Sequence, residues 1–544
     1  MNRLVGATIA TIGTLTLFLF VILWSIITIA EVDLPLTITI PIIIVFNFGM
    51  LMIAPFIQDF IYRFMYKVRW YKPEEIQLEY PWMYDFVTKV TTEKRFKFPK
   101  IGIIPDDNPQ AFCYGSHRSN GRVVITNGLM RYLTKEETNA VVAHELGHIY
   151  NLDFIIMTLA STLLQIIYEL SRVLMRLRSS RERNNPLPLI GLVAYAMYFV
   201  GRYILLLLSR VREYYADKFS AEVTGNPELL ARALFKIAYG ILRTADKGES
   251  GSGLMETTCT LGIMDVKGAK STTNYAKMNS NPEDEPQTLD LPSMFPYMVF
   301  DVKSPWAFIG EISSTHPLTA KRILALGEMA SEGNVLSSFR EYLAKLDIDK
   351  SKLYGKFVLD YVVKNLAVIF AVLFALLAFA LQLPIFLVFL GIALGLLIRI
   401  FYCYPRTGYS EATIGNLMKD VYASPVRGTP ATLSGRIIGR GIPGYVFGKD
   451  IMIQDSTGLV FVQVKTILGF ITDFLFAVTK VKNVIGKTGK AHAYFFRSVS
   501  PWTILRNFEG EEAKFKSYPE LGILLAAIFW LILGVVVTAL VGTL

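Results

Sequence analysis

Long apolar runs alternate with polar segments along this chain. Seven runs stand out, at residues 6–30, 36–60, 154–170, 187–208, 361–381, 384–402 and 520–544. A run of about 20 apolar residues is long enough to cross the hydrocarbon core of a bilayer. The pattern therefore predicts a multi-pass membrane protein, with seven spans if the third and fourth runs both cross. Composition agrees, because 52% of the residues are hydrophobic, more than soluble domains usually contain.

The charges beside the first two runs predict an orientation. The first run begins after Met1-Asn2-Arg3 and is longer than the core of a cleaved signal peptide, so we expect it to be kept as the first half of a hairpin. Acidic Glu31 and Asp33 lie between the two runs, whereas a basic cluster follows them. The cluster consists of Arg63, Lys67, Arg69 and Lys72. By the positive-inside rule, the N-terminus and the residues after the hairpin are cytoplasmic.

The link between the third and fourth runs conflicts with this orientation. It carries one acidic residue, Glu182, and five arginines: Arg172, Arg176, Arg178, Arg181 and Arg183. Two explanations remain open. Either the runs stop short of the far face, or the arginines extend to the interface and pair with lipid.

The polar segments contain two groups of short strands. Runs at 100–105, 111–114 and 122–126 predict a small sheet. Runs at 427–440, 450–455, 459–464, 490–497 and 502–508, with an apolar helical stretch at 467–481 between the third and the fourth, predict a small OB-like barrel. Residues 245–300 are polar and rich in Gly, Ser and Asn, which predicts a loop that either gates the site or is a passive insertion.

These elements predict an α+β multi-pass membrane protein in five parts. They are a transmembrane hairpin (1–62), a helical domain with a small sheet (63–350, including membrane helices 154–170 and 187–208), a second hairpin (351–404), a cytoplasmic OB-like module (405–512) and a C-terminal transmembrane helix (520–544).

The strongest chemical signal is the sequence VVAHELGHIY at 141–150. Thr134 and Glu137 form a capping box that predicts the start of a helix through this stretch. On that helix His144 and His148 are four residues apart, so both imidazoles lie on one face and can bind one metal ion. Glu145 lies about 100° further round the helix, where it can act as a base toward the attacking water. The HExxH pattern predicts a zinc hydrolase.

A catalytic zinc usually has three protein ligands, so one more is needed. Glu213 is the best candidate, and Asp217, one turn later, is placed to accept a ring N–H from a ligand histidine. No proline or glycine separates His148 from Arg183, so we expect the zinc helix to continue into the third apolar run. A solvated helix face would explain Glu213 and Asp217 equally well without the HExxH stretch.

Three motifs together carry a family resemblance. They are GLMRYLTKEETNAVVAHELGH, REYYAD at 212–217 and STHPLTAKRI at 314–323. In combination they resemble the HtpX-like integral-membrane zinc peptidases, relatives of the CAAX prenyl protease, over roughly residues 1–330. The resemblance implies a gluzincin-like peptidase domain with one Zn²⁺ per chain, the ligands His144, His148 and Glu213, and Glu145 as general base.

The resemblance also concerns residues around the zinc. It implies that His316 lies near the active site and stabilises the oxyanion, although the sequence fits a plain loop histidine equally well. It further implies that a strand like 111–114 borders the cleft and pairs with extended substrate, because an edge strand binds peptide backbone. Ordinary sheet structure with a buried Cys113 is the alternative.

The sequence therefore predicts a zinc metalloendopeptidase that cleaves membrane or misfolded proteins at the cytoplasmic face of the cell membrane. Processing of prenylated C-termini is a second possibility, and a non-catalytic membrane scaffold is a third. The net charge of +10 fits basic cytoplasmic loops and anionic lipid better than nucleic acid, so we expect polypeptides and the bilayer as partners. Three cysteines, Cys113, Cys259 and Cys403, show no disulfide or metal spacing. The oligomeric state stays open.

Overall fold

The computed structural model describes residues 2–29, 36–176, 186–246, 290–331, 333–440, 450–466, 484–510 and 514–542. Three predicted features lie outside these ranges: most of the polar segment at 245–300, most of the arginine-rich link, and the apolar stretch at 467–481. The chain forms two compact units. Among the described residues, the first contains those within 2–244 and 311–340, and the second contains 245–246, 290–310 and those within 341–542.

Helices make up most of the described chain. In chain order they are α1 Asn2–Ile29, α2 Leu36–Met65, α3 Pro73–Glu79, α4 Pro81–Glu93, α5 Asn127–Tyr132, α6 Lys135–Tyr150, α7 Asp153–Arg176, α8 Leu187–Thr224, α9 Pro227–Asp246, α10 Leu291–Lys303, α11 Pro305–Ile312, α12 Thr319–Gly327, α13 Val335–Lys345, α14 Lys350–Lys364, α15 Leu366–Leu381, α16 Phe386–Cys403, α17 Ile414–Lys419 and α18 Leu521–Gly542.

Six of the described helices, α1, α2, α7, α8, α16 and α18, are long and apolar enough to cross a membrane. The bent pair α14 and α15 makes a seventh candidate. These helices coincide with the seven apolar runs, so the prediction of a multi-pass membrane protein is confirmed. The 24 residues of α7 extend about 36 Å, which is enough to cross the core.

Small residues bring the membrane helices of the first unit together. Leu15 and Ile22 of α1 are buried against α7 and α8. A methyl group added at Gly201 of α8 would lie 2.7 Å from the end of the Leu15 side chain and 2.8 Å from that of Leu164, so both side chains pack directly on this glycine. Close backbone approach at small residues is the usual way in which helices associate in a bilayer.

A four-stranded sheet packs against α2 and α6. Its strands are β1 Arg69–Tyr71, β2 Lys100–Ile104, β3 Ala111–Tyr114 and β4 Arg122–Thr126, in the order β1-β2-β4-β3. β2 and β4 are parallel, and the other pairs are antiparallel. The predicted small sheet is thus present, with β1 in addition. β3 occupies one edge of the sheet and contacts α6.

The second unit contains a five-stranded barrel. The strands of its seven-stranded sheet, five of which close the barrel, are β5 Ser410–Glu411, β6 Thr429–Arg440, β7 Ile451–Asp455, β8 Gly458–Gln463, β9 Thr488–Phe496, β10 Trp502–Gly510 and β11 Lys514–Lys516. The barrel closes in the order β6-β7-β8-β10-β9 and back to β6, with β8 and β10 parallel. β5 and β11 extend it at β6 and β10. All five predicted strands are therefore present.

The expected continuation of the zinc helix into the third apolar run is wrong. α6 ends at Tyr150, and α7 begins at Asp153. Between them Leu152 adopts a left-handed backbone with φ of 61°. For a residue with a branched side chain this conformation costs about 1–2 kcal/mol. The break places the Asp153 carboxylate against His148, and the resulting buried contacts offset that cost.

Candidate metal centre

The helix that carries the HExxH residues begins at the predicted capping box. The Thr134 hydroxyl accepts the Glu137 N–H at 3.2 Å, and the Glu137 carboxylate accepts the Thr134 N–H at 2.9 Å. Glu137 also binds the buried Lys236 ammonium of α9 at 2.8 Å. The cap therefore fixes both the start of α6 and its packing against α9.

α6 packs closely against α8. A methyl group at Gly147 would lie 3.1 Å from both Ala216 Cα and Phe219 Cβ, so a side chain here would push the helices apart. The Ser220 hydroxyl of α8 donates to the Ala140 carbonyl of α6 at 2.6 Å. The glycine inside the HELGH sequence thus permits the approach that brings Glu213 to the two histidines.

His144, His148 and Glu213 form a compact buried triangle. The two histidine Nε2 atoms are 3.2 Å apart. Glu213 Oε2 lies 3.5 Å from His144 Nε2, and Glu213 Oε1 lies 3.5 Å from His148 Nε2. Among the described residues this is the one group of histidine, cysteine and acidic side chains close enough to hold a metal ion.

The triangle fits a tetrahedral zinc ion. With bonds of about 2.0–2.1 Å, neighbouring tetrahedral ligand atoms lie about 3.3–3.4 Å apart. The two Nε2 atoms are 3.2 Å apart, close to that value, and each lies 3.5 Å from a different oxygen of Glu213. With one ligand atom taken from each residue, all three lie within 4.8 Å of one another. Two imidazoles and one carboxylate are also a typical catalytic zinc set, which leaves a fourth position for water or substrate.

Each histidine is oriented by a buried carboxylate. Asp217 Oδ1 lies 3.0 Å from His144 Nδ1, and Asp153 Oδ2 lies 2.5 Å from His148 Nδ1. An Nδ1–H that faces a carboxylate leaves Nε2 as the free lone pair on each ring. Both histidines therefore present Nε2 to the centre of the triangle.

An arginine holds each of these carboxylates in turn. Arg322 contacts Asp217 through two nitrogens at 2.8 and 2.6 Å, and Arg212 Nε lies 2.9 Å from Asp153 Oδ1. Arg322 belongs to the STHPLTAKRI motif, so this motif is attached to the metal centre by a fully buried bidentate pair.

Burial lowers the pKa of His144, but its contacts with Asp217 and Glu213 outweigh this effect and raise the pKa to about 9. Without a metal ion the ring is therefore protonated at neutral pH. A metal ion that binds must displace that proton.

Glu145 is buried beside the triangle, on the side of strand β3. The Cys113 thiol of β3 hydrogen-bonds the Glu145 carboxylate. Burial and this carboxylate raise the pKa of Cys113 well above its usual range, so the thiol stays neutral and acts as the donor. Glu145 Oε2 makes no hydrogen bond within the described part of the chain, which leaves it available to a ligand.

His316 lies on the other side of Glu213. Its Nδ1 is 3.1 Å from Glu213 Oε2, and 7% of the residue is exposed. Arg210, one turn before Glu213 on α8, holds the loop that leads to His316. Its guanidinium NH1 donates to three carbonyls, of Glu311, Ile312 and Ser314, at 2.9, 3.1 and 2.9 Å.

A cleft of about 460 Å³ opens onto this centre. Its inner end is lined by His148, Glu213 and His316, and one side by the edge strand at Cys113 and Tyr114. The remaining walls come from membrane helices. They are Asn47, Met50, Leu51, Ala54, Pro55 and Gln58 of α2, and Phe154, Met157 and Thr158 of α7.

The structure brings all six predicted site residues, His144, Glu145, His148, Glu213, Asp217 and His316, into one buried cluster in the first unit. Sequence reasoning missed Asp153, Arg212 and Arg210. One signal pointed to Asp153: an acidic residue at the start of a strongly apolar run needs a partner. Arg212 opens the REYYAD motif, whereas nothing in the sequence singled out Arg210.

Two histidines and a glutamate on packed helices, with a second glutamate beside them and membrane spans around them, define a membrane protein of the HExxH metallopeptidase class. Comparisons with known proteins agree. The family model for peptidase family M48 matches residues 77–330. A protease HtpX homologue of Sulfurovum sp. is 31% identical over 242 residues, which cover 44% of this chain and 73% of that protein.

A protease HtpX homologue of Methanothermobacter thermautotrophicus is 37% identical over 163 residues, which cover 30% of this chain and 60% of that protein. The matched region thus spans less than two thirds of this relative. The match to the crystal structure of S. mikatae Ste24p covers 57% of this chain and 61% of that chain, with 18% sequence identity and a TM-score of 0.32. On the sequence matches, the chain belongs to peptidase family M48.

Proposed function

We propose that this protein is a zinc-dependent endopeptidase that cleaves membrane or misfolded proteins at the cytoplasmic face of the membrane, as part of protein quality control. The observation that carries the proposal is the His144–His148–Glu213 triangle, whose ligand atoms lie within 4.8 Å of one another, with Glu145 beside it and a cleft leading to it. When bound, Zn²⁺ would polarise the scissile carbonyl and make the attacking water more acidic.

The protein's own residues have distinct roles in this proposal. Glu145 takes the proton of the attacking water and returns it to the leaving amine. Asp153 and Asp217 keep the two imidazoles in the tautomer and rotation that bind the metal. His316, at the mouth of the triangle, stabilises the negative charge that develops on the substrate oxygen.

The free edge of β3 supports binding of extended polypeptide. Its residues Cys113 and Tyr114 line the cleft together with Gly115, which follows the strand, and β3 is the last strand of its sheet. A substrate that adds to this edge gains backbone hydrogen bonds with little dependence on its sequence. This suits a peptidase that acts on many unfolded segments.

The cleft also favours substrates close to the bilayer. Met50, Leu51 and Ala54 belong to the candidate span Ile44–Met65, and Met157 belongs to the span α7. A polypeptide that leaves the hydrocarbon core can enter the cleft past these apolar walls. The charges around the first hairpin support the cytoplasmic orientation.

We also propose that the barrel is OB-like. Numbered within the barrel, its strands close in the order 1-2-3-5-4-1, and the third and fifth strands are parallel. Five strands in a closed Greek-key arrangement characterise OB folds. Because fold does not determine function, we assign the barrel only a regulatory or substrate-presenting role.

The experiment that tests the proposed function combines metal analysis with cleavage assays. Purified full-length protein in lipid nanodiscs should contain one zinc per chain and cleave an unfolded casein-type substrate and a peptide with an apolar segment. Removal of zinc with a chelator should abolish cleavage, and added zinc should restore it. Wild-type protein that binds no metal, or that cleaves equally well without it, would contradict the proposal.

The same assay separates the two other functions. A CAAX-type processing peptidase would cleave a prenylated C-terminal peptide and leave the unprenylated peptide intact. A scaffold would cleave none of the substrates, whether or not it binds zinc.

The Arg210 clamp leads to a prediction for this activity. We expect Arg210→Met to lower kcat/KM while zinc stoichiometry stays at the wild-type value. The substitution removes the donor shared by three carbonyls and releases the loop that positions His316. A buried carbonyl left without a partner costs about 1–3 kcal/mol, enough to favour another loop conformation.

A double-mutant cycle shows whether Arg210 acts through His316. If it does, Arg210→Met in a His316→Ala background should cause little further loss of kcat/KM. Arg202→Met is the matched control, because Arg202 is exposed on the same helix. Additive effects of the two substitutions would show that Arg210 does not act through His316.

A further inference from the structure

Helix α14 lies immediately before an apolar helix of the second unit. It ends at Lys364, and α15 begins at Leu366 after a bend of 61° at Asn365. The Asn365 side chain caps the break by donating to the Tyr361 carbonyl at 2.8 Å. α14 therefore runs in a different direction from the candidate membrane segment that it joins.

One face of α14 is fixed against its own unit. Leu353, Asp360 and Val363 on this face are buried. The Asp360 carboxylate accepts the Tyr402 hydroxyl of α16 at 2.5 Å and the Trp306 indole N–H of α11 at 3.4 Å. These contacts set the rotation of α14 about its axis.

The opposite face is apolar and exposed. Tyr354, Val358, Tyr361 and Val362 are 54, 56, 48 and 40% exposed. Their spacing of i, i+4, i+7 and i+8 places them in one stripe along the helix. α15 follows this stripe directly along the chain and also exposes apolar side chains, among them Val368, Val372 and Leu373.

Basic residues lie on the side of α14 away from the stripe and at the two ends of the helix. Lys352 and Lys356 lie over the Tyr422 ring, with the ammonium nitrogens 5.0 and 5.4 Å from its centroid. Arg427 donates to the Tyr422 carbonyl at 3.0 Å, so three cations gather around one tyrosine. Lys350 and Lys364 stand at the two ends of the helix. The carboxylates of Asp360 and Asp420 lie near Lys356, so the three cations outnumber the acidic side chains around them by one.

We propose that α14 lies in the plane of the membrane interface, with the Tyr354–Val362 stripe on the acyl chains and the basic cluster of Lys352, Lys356 and Arg427 on anionic lipid headgroups. A helix with an apolar face and flanking lysines has the composition of an interfacial helix. Tyrosine at two stripe positions fits the headgroup level, where aromatic rings with a polar end accumulate. Continuity with α15 selects lipid, rather than another protein chain, as the occupant of the stripe.

The accessibility of spin labels to oxygen and to a nickel complex measures whether positions on α14 lie in lipid or in water. Labels are placed on cysteines introduced singly at Tyr354, Val358 and Val362 of the full-length protein, in a background in which Cys113, Cys259 and Cys403 are replaced by alanine. The protein is studied in nanodiscs of phosphatidylcholine with phosphatidylglycerol. Each label reports collisions with oxygen, which concentrates in lipid, and with a nickel complex, which stays in water.

We expect the oxygen-to-nickel collision ratio to be several-fold higher at all three stripe positions than at Lys352→Cys, a control on the same helix. The ratio should also be similar among the three, because an in-plane helix keeps one depth. Leu373 of α15 provides the lipid reference, and the exposed Leu78 of α3 provides the water reference.

Three results would overturn the proposal. A steady change of the ratio from Tyr354 to Val362 would make α14 part of a span. A ratio equal to that at Leu78 would place the stripe in water. Protection from both reagents would show that protein covers the stripe.

The headgroup contacts have their own test. We expect phosphatidylglycerol to raise the ratio at Val358 relative to pure phosphatidylcholine, and the triple variant Lys352→Gln, Lys356→Gln, Arg427→Gln to abolish this shift. An unchanged ratio at Leu373 controls for folding. A shift that persists in the triple variant would contradict the assignment of this cluster to anionic headgroups.

Discussion

Glu145→Gln is expected to lower turnover by about 10²–10⁴-fold while the protein retains one zinc per chain. Glu145 is buried beside the metal triangle without belonging to it, and its Oε2 atom makes no hydrogen bond among the described residues. Glutamine has nearly the same shape and can still accept the Cys113 S–H. It cannot take a proton, so only the proton-transfer role is lost.

The measurement pairs zinc content by elemental analysis with kcat on the unfolded substrate. Glu136→Gln is the matched control, since Glu136 is exposed on the first turn of the same helix. It should behave as wild type. If Glu145→Gln cleaved at the wild-type rate with full zinc, Glu145 would not be the base. If it lost its zinc, it would instead be required for metal binding.

Asp153→Asn is expected to weaken zinc binding by about 10–100-fold. One carboxylate oxygen of Asp153 faces the His148 ring nitrogen and the other faces the Arg212 guanidinium, so an asparagine side chain cannot satisfy both partners. If its oxygen faces His148, its NH₂ group opposes the Arg212 guanidinium. If its NH₂ group faces His148, that ring must carry its proton on Nε2, where the metal binds.

Competition with a chromophoric chelator gives the zinc Kd of each variant. Asp217→Asn should show a loss of the same order, because Asp217 Oδ1 faces His144 while both of its oxygens accept from Arg322. Asp85→Asn on the exposed face of α4 should leave the Kd unchanged. Wild-type affinity in Asp153→Asn, in a protein that unfolds at the wild-type temperature without zinc, would contradict the orienting role.

Features encoded within a few residues could be predicted from the sequence. The four-residue spacing of His144 and His148 places both rings on one helix face whatever surrounds them, and the Thr134–Glu137 box marks a helix start by its own hydrogen bonds. The apolar runs predict the spans for the same reason, because length and composition alone decide whether a helix can cross a bilayer.

Features that depend on contacts between distant segments could not be predicted. The break at Leu152 contains no glycine or proline that would have predicted it. It is stabilised by the contacts of Asp153 with His148 and Arg212 rather than by a local backbone preference. The bond from Cys113 to Glu145 and the clamp from Arg210 to the 311–314 carbonyls join segments that only the folded chain brings together. Such long-range pairings leave no periodic pattern in the sequence.

The buried shell around the triangle has a consequence for the kind of ion it accepts. It contains four carboxylates, of Glu145, Asp153, Glu213 and Asp217, and two guanidinium groups, of Arg212 and Arg322. Two negative charges are left over, the charge that one divalent cation neutralises. A buried site that departs from electroneutrality is unfavourable, so a monovalent ion would leave a surplus of negative charge and a trivalent ion a surplus of positive charge. The charges built into the fold thus select for ion valence, independently of the atoms that touch the ion.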